Sequence, residues 1–184
     1  ITFELYSGTS ADLMDNFVRG FYDFLLECEL RSHVDMHTLR LPHTDTWGLL
    51  VRRDNPLAAQ AAVTPEDLLG QPLISSRQGV KVGVLGQWLG EAADEMDVRA
   101  TYNLPLNAKF LVRQGIGSAF TYRGLFEANE LSDLAFVPLS PTLESTQGLV
   151  WRKTLPTRQA QAFLDTLKDL CAERVFENPP ADAS

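Results

Sequence analysis

The stretch that decides the fold is residues 46–77, TWGLLVRRDNPLAAQAAVTPEDLLGQPLISSR, which contains two apolar strands separated by turn and helix-start signals. Residues 47–51 form an apolar run of strand length. The sequence Asp54-Asn55-Pro56 is typical of a turn, because proline fixes its own φ and disfavours the helical region for the preceding residue. The segment therefore predicts a strand that ends in a turn.

The second half of this stretch predicts a very short helix and then another strand. Thr64 suits the N-cap, Pro65 suits the first helical position, and Gly70 is typical of a helix end. The apolar residues 72–74 open a buried strand that stops at Ser75-Ser76-Arg77. The segment therefore places polar side chains at the end of a strand, which is where open α/β sheets bind small molecules.

Strand and helix signals alternate over the rest of the chain. Thr9 and Asp12 have the capping-box spacing, and an apolar helical face follows them through Phe21. The polar stretch 29–44 reads as irregular. Further strands are predicted at 1–6, 23–27, 98–102, 118–122, 134–139 and 148–152, further helices at 82–93, 106–114 and 157–175, and a frayed tail at 177–184. This alternation predicts an α/β fold built from a mostly parallel sheet with helices on both faces.

The composition is that of an ordinary globular chain. It has 184 residues, of which 45% are hydrophobic and 22% are charged, and its formal net charge is −8. This acidity disfavours direct binding to nucleic acid, which needs clustered positive charge. Cys28 and Cys171 have neither metal-ligand spacing nor a disulfide framework, so we expect two free thiols in a reducing compartment, although a redox pair stays open.

The ends and apolar runs of the sequence carry further expectations. No apolar run approaches membrane-spanning length, and no signal-peptide pattern is present. The chain opens on Ile1 rather than on a methionine and already alternates like a strand. We therefore expect a piece of a longer cytoplasmic protein.

Four motifs in order resemble the effector-binding domain of LysR-type transcriptional regulators. They are WGLLVRRDNPLA, TPEDLLGQPLI, LVRQGIGSAF and the closing LVWRK before a long helix, and the similarity runs from Ile1 to about Val175. The resemblance implies a fold like that of periplasmic binding proteins, with two Rossmann-like subdomains joined by two crossing strands and a small-molecule cleft between them. The first subdomain would hold residues 1–71 and 148–184 and the second residues 72–147, with crossings near 71–73 and 146–148.

The chain departs from the family's pattern at its N-terminal side. It lacks the winged helix-turn-helix and linker helix, so any binding to DNA would need a domain outside this chain. The family's first strand and helix of the effector domain are also not found. By resemblance, the domain forms a dimer or tetramer in which the helix at 12–21 of one subunit packs against the helix at 82–93 of its partner.

Two polar loops are candidate ligand sites. Ser7, Thr9 and Ser10 precede a helix N-terminus, whose outward N–H groups favour a carboxylate or another anion. The alternative is that Thr9 only caps its helix. Ser75, Ser76 and Arg77 could grip a carboxylate through hydroxyls and a guanidinium. The alternative there is a polar loop with Arg77 in solvent.

A third candidate region follows the sequence Gln114-Gly115-Ile116-Gly117. It is not a phosphate loop, because it leads from a helix into a strand, and Gly115 instead suits a left-handed helix stop. The family has a similar turn near its cleft, so the resemblance adds Phe120 and Thr121 on the next strand and Asn107 on the preceding helix as ligand-binding candidates.

The residues give no support for a metal site, a cofactor site or a catalytic centre. His33, His37 and His43 lie on a polar stretch with no helix signal, so we expect an exposed loop rather than a zinc site. No nucleophile elbow is present, and no serine or cysteine has an evident histidine partner. The favoured hypothesis is a non-enzymatic sensor of a small molecule, with a carboxylate as the suggested class. The alternatives are a transporter's solute-binding protein, which shares the fold, and a small α/β enzyme.

Overall fold

A computed structural model describes residues 2–77, 79–126 and 133–173. Contacts divide the chain into two compact units. Unit 1 contains Ile1–Thr44 and Ser145–Ser184, and unit 2 contains Asp45–Glu144. The predicted tail at 177–184 and the end of the predicted last helix lie outside the described residues. Within those residues, no helix is long and apolar enough to cross a membrane.

Unit 1 is built around three neighbouring strands. Its elements are α1 (Ser10–Val18), β1 (Phe24–Glu27), the first part of β2 (Met36–Arg52), most of β7 (Glu144–Arg152) and α4 (Arg158–Ala172). β1 pairs with β7 from Phe24 opposite Trp151 to Glu27 opposite Gly148. Phe17, Leu25 and Val150 form the buried core of this unit, because α1 lies over one face of the pair.

Unit 2 contains a sheet of mixed strand direction. Its elements are the end of β2, β3 (Pro72–Ser76), α2 (Gly83–Leu89), β4 (Asp97–Tyr102), α3 (Pro105–Arg113), β5 (Ser118–Tyr122) and β6 (Leu134–Pro138). The strand order is β6-β2-β5-β3-β4. β3 is parallel to β4 and β5, whereas β2 is antiparallel to β5 and β6. The expected mostly parallel sheet is therefore corrected to a mixed one.

Both faces of the unit 2 sheet are covered. Leu49, Leu73 and Phe120 belong to one buried cluster, and Leu50, Ile74 and Ala119 belong to another. Successive strand residues point to opposite faces, so a sheet buried on both sides needs continuous apolar runs. The continuous apolar runs therefore predict these strands from the sequence, and β5 has the predicted bounds.

The long strand β2 overturns the expectation for residues 29–44. It begins at Met36, so the second half of that stretch is a strand rather than irregular chain. The first change of unit therefore falls within β2, between Thr44 and Asp45, and not near residues 71–73, where β3 lies inside unit 2. The second falls between Glu144 and Ser145, a few residues before the expected position. The predicted strand at 1–6 is also absent, since residues 2–6 carry no strand.

The helix predicted at 82–93 is shorter in the structure. α2 ends at Leu89 because Gly90 takes a φ of +55°, and a 3₁₀ segment, Gly90–Glu95, follows it. After Thr64, only the single 3₁₀ turn Glu66–Leu68 forms. α4 begins directly after Thr157, whose side chain accepts a hydrogen bond from the backbone N–H of Ala160.

Asp67 holds the 3₁₀ turn in a way that differs from the predicted Thr64 cap. Its Oδ2 accepts hydrogen bonds from the backbone N–H of Thr64 at 2.8 Å and from the Thr64 hydroxyl at 3.0 Å. Thr64 is therefore the donor, and the carboxylate satisfies the orphan N–H at the start of the turn. The Thr64 N–H bond, followed by the hydroxyl bond, lowers the pKa of Asp67.

Replacing Asp67 with asparagine is expected to lower the stability at pH 7 and to flatten its dependence on acid. A carboxyl with a depressed folded pKa stabilises the protein above its unfolded pKa of about 3.9, and that stability is lost as the pH falls through the folded value. Urea unfolding at pH 7 and at successively lower pH should show the gap between wild type and Asp67→Asn closing below about pH 4. A gap that stays constant with pH would contradict this assignment.

Candidate functional site

The carboxyl ends of β3 and β5 carry two buried hydroxyls that have no hydrogen-bond partner among the described residues. Ser75 is fully buried and Thr121 is 1% exposed, and neither Ser75 Oγ nor Thr121 Oγ1 meets a donor or acceptor. An unsatisfied buried hydroxyl costs about 1–3 kcal/mol. The two strands are parallel, so their carboxyl ends lie at the same edge of the sheet, where α/β sheets bind ligands.

The loop after β3 brings the backbone of Gly79 against the serine hydroxyls. A Cβ atom placed on Gly79 would lie 2.5 Å from Ser75 Oγ and 2.7 Å from Ser76 Oγ. Both hydroxyls therefore point toward one spot beside Gly79. The backbone N–H of Gly79 donates to the Ser76 carbonyl at 3.0 Å, which fixes the turn that creates this approach.

Ser75 and Thr121 lie on opposite faces of the sheet. Ser75 follows Ile74, whose side chain packs in the same cluster as that of Ala119, and Thr121 follows Phe120, which packs in the other cluster. Side chains alternate along each strand, so Ser75 shares a face with Phe120 and Thr121 shares a face with Ile74. Because the hydroxyls of Ser75 and Ser76 both approach Gly79, the carboxyl end of β3 is a better-formed polar site than the carboxyl end of β5.

Tyr102 is a neighbour of this site that the sequence reasoning missed. It ends β4, pairs with Ser76 in the sheet register, and its hydroxyl donates to the Phe120 carbonyl at 2.8 Å. Burial raises the pKa of Tyr102, so the phenol stays protonated and remains a donor. The bond ties the end of β4 to β5, with β3 between them. In the sequence, the only feature that could have indicated Tyr102 is its position at the carboxyl end of a predicted strand.

The remaining candidates of unit 2 differ in burial. Arg77 and Asn107 are exposed, and Ser76 is half-buried. Phe120 is fully buried in the core cluster of Trp47 and Leu49, so its side chain serves packing, while its carbonyl holds Tyr102.

The loop of unit 1 places Thr9 as a helix cap. Its Oγ1 accepts from the Asp12 backbone N–H at 3.2 Å and its hydroxyl donates to Asp12 Oδ2 at 2.6 Å. The predicted capping of α1 is confirmed. Ser7 and Ser10 are exposed. The Asp12 carboxylate already occupies the first turn, so it opposes the binding of a second anion at this helix end.

The histidines do not form the exposed loop that was expected. His37 and His43 lie in β2, and the side chain of His33, only 16% exposed, contacts Glu27 with Nε2 3.0 Å from Oε1. No group of three potential metal-ligating side chains occurs among the residues described. Cys28 and Cys171 are not joined in a disulfide, Cys28 is exposed, and burial raises the pKa of Cys171.

The architecture has many solved counterparts. The effector-binding domain of QuiR in complex with shikimate matches with a TM-score of 0.81 at 14% identity, over 94% of this chain and 83% of that one. The BenM effector-binding domain with its effector benzoate matches with a TM-score of 0.66 at 17% identity, over 98% and 83%. At these identities the likeness shows the fold alone. The search of curated proteins found no match.

A whole regulator is longer than this chain. HinK, a LysR family transcriptional regulator from Pseudomonas aeruginosa, matches with a TM-score of 0.69 at 20% identity, over 89% of this chain but 58% of its own length. The family model for the LysR substrate binding domain matches residues 1–172, which is nearly all of the sequence. The fold therefore has the periplasmic-binding-protein-like architecture that the resemblance implied, and the chain belongs to the LysR substrate-binding domain family.

Proposed function

We propose that this domain senses a small organic acid for a transcriptional regulator, with Ser75 as the central ligand contact. The observation that carries the proposal is the buried Ser75 hydroxyl, which has no partner among the described residues and lies beside Gly79 at a strand end. A bound carboxylate oxygen would accept from this hydroxyl and remove the cost of its burial. Family membership favours such a sensor over a transporter's solute-binding protein.

The proposed ligand class has two sources of support. Serine hydroxyls at Ser75 and Ser76 are neutral donors suited to a carboxylate, and Arg77 follows them on the exposed loop. The ligands named for QuiR and BenM, shikimate and benzoate, are both small ring carboxylates. Ser76, Arg77, Asn107 and Thr121 are secondary contacts in this proposal, and the Ser7–Ser10 loop is the weakest candidate because Asp12 already occupies the helix end.

The proposed mechanism is a shift between conformations. A ligand that binds one state more tightly than another moves the equilibrium toward it. In a cytoplasmic dimer or tetramer, this shift would alter the spacing of DNA-binding domains that lie outside this chain. Exposed apolar side chains support a subunit contact, with Val18 58% and Phe21 73% exposed in unit 1 and Val82 57% exposed in unit 2.

A thermal-shift screen of organic acids tests the ligand class. We expect a small carboxylate, with shikimate and benzoate among the first probes, to raise the unfolding temperature in a concentration-dependent way, because binding to the folded state stabilises it. The amide of each active acid is the matched control and should be weaker. Stabilisation by neutral or cationic compounds but by no acid would overturn the carboxylate assignment.

A further inference from the structure

Unit 1 contains an open cavity that the proposed effector site does not include. Its volume is about 390 Å³, and its lining includes Trp151, Lys153, Lys168, Leu155 and Gln161. A cavity of this size falls in the range of small-molecule sites, about 300–1,000 Å³. It lies where β7 ends and the chain turns into α4, so strand and helix both fix its shape.

Two ammonium groups border this cavity in a chain whose net charge is −8. Lys153 Nζ donates to the Val34 carbonyl at 2.8 Å, which holds the group in place and leaves two of its three N–H donors for another acceptor. Lys168 Nζ lies 5.8 Å from the centroid of the Trp151 ring. The nearby Asp165 carboxylate accepts from the Gln161 amide at 2.7 Å. The residues that line the cavity include two lysines and no acidic residue, so its border carries positive charge on an acidic protein.

The other wall of the cavity is aromatic and aliphatic. The Trp151 ring contacts the His37 ring with centroids 5.4 Å apart, so the indole is held by β2 as well as by its own strand. Leu155, on the loop before α4, is 98% exposed. An apolar group that entered the cavity would cover Leu155 and contact the indole face, and the burial of both surfaces is favourable.

We propose that this cavity is a second ligand site, which binds a planar aromatic carboxylate. The carboxylate pairs with the ammonium groups of Lys153 and Lys168, and the ring lies against Trp151 and Leu155. The combination of a positive edge and an aromatic wall selects an anion with an apolar body over either an inorganic anion or a neutral ring. All the residues of this site belong to unit 1, whereas Ser75 belongs to unit 2, so the site does not depend on the proposed effector function.

The test is a titration with 2-naphthoate followed by NMR of the tryptophan indole N–H signals. The chain has three tryptophans, and Trp151→Phe identifies the signal of interest. We expect the Trp151 signal to shift on addition of 2-naphthoate. Because each exposed ion pair is worth up to about 1 kcal/mol, Lys153→Gln and Lys168→Gln should each weaken binding by roughly three- to fivefold. The neutral analogue 2-naphthamide should bind more weakly than the acid.

Matched variants test whether binding depends on the two lysines of this cavity. Lys81→Gln removes an ammonium of unit 2 that pairs with Asp94, and it should leave the titration unchanged. Circular dichroism melting verifies that each variant is folded. No shift of the Trp151 signal, equal binding of the amide, or full binding by the Lys153→Gln/Lys168→Gln double variant would each overturn the second site.

Discussion

Replacing Gly117 with alanine is expected to destabilise unit 2 by about 3 kcal/mol, the upper end of the usual cost of overpacking. A Cβ atom at this position would lie 2.6 Å from the Pro72 carbonyl oxygen and 2.8 Å from its carbonyl carbon. These are backbone atoms, so no side-chain rotation relieves the contact. Pro72 begins β3 and Gly117 precedes β5, and the new methyl group would push these parallel strands apart where Leu73 and Ser118 pair.

Thermal unfolding followed by circular dichroism measures the effect. For a chain of this length each kcal/mol lowers the unfolding temperature by about 2–4 °C, so we expect a loss of roughly 6–12 °C. Gly70→Ala is the control, because Gly70 has a φ of +72° and nothing within 4 Å of a placed Cβ. The Gly70→Ala variant should lose only about 1–2 kcal/mol of stability, which is the cost of placing an alanine in the left-handed region. Equal losses in the two variants would show that β3 and β5 tolerate separation.

The requirement for glycine at position 117 could not be predicted from the local sequence. Gly115 was readable as a helix stop, and the structure confirms it with a φ of +72° and with the N–H of Ile116 bonded to the Leu111 carbonyl, which is the Schellman pattern. Gly117 has an ordinary φ, and its requirement comes from Pro72, distant in the sequence. A local pattern carries no information on such a contact.

The strands also differ in how well their local sequence predicts them. β5 was predicted to the residue because its apolar run is bounded by Gly117 and by Arg123-Gly124, and a strand buried on both faces needs such a run. The first half of β2 was missed because it is polar and partly exposed, as at His37, Thr38 and Arg40. The change between the two contact units falls inside this strand, between Thr44 and Asp45.

The candidate site was predicted in part. A polar ending to an apolar strand was enough to single out Ser75 and Ser76. The complete burial of Ser75, the lack of a partner for its hydroxyl and the approach of Gly79 depend on how the loop folds back. The Tyr102 bond to the Phe120 carbonyl likewise depends on strand order, which the sequence does not specify.

Replacing Ser75 with alanine is expected to weaken binding of the most strongly stabilising acid by about tenfold, while the ligand-free protein becomes more stable by up to about 1 kcal/mol. The two effects have one cause. The Ser75 hydroxyl is buried with no partner among the described residues, so its removal ends a desolvation cost in the free protein and also removes a donor to the ligand. Loss of stability together with loss of binding would indicate only a damaged fold.

Thr121→Val is the matched comparison, because it removes the other partnerless buried hydroxyl of the described residues while keeping the branched shape. It should also stabilise the free protein, but it should change affinity less, since Thr121 lies on the opposite face from Ser75. Thr166→Val, on the exposed surface of α4, should change stability by no more than about 0.5 kcal/mol and leave affinity unchanged. Urea unfolding and calorimetric titration measure both quantities. If Thr121→Val loses more affinity than Ser75→Ala, the ligand is held on the other face, and Ser75 is not the central contact.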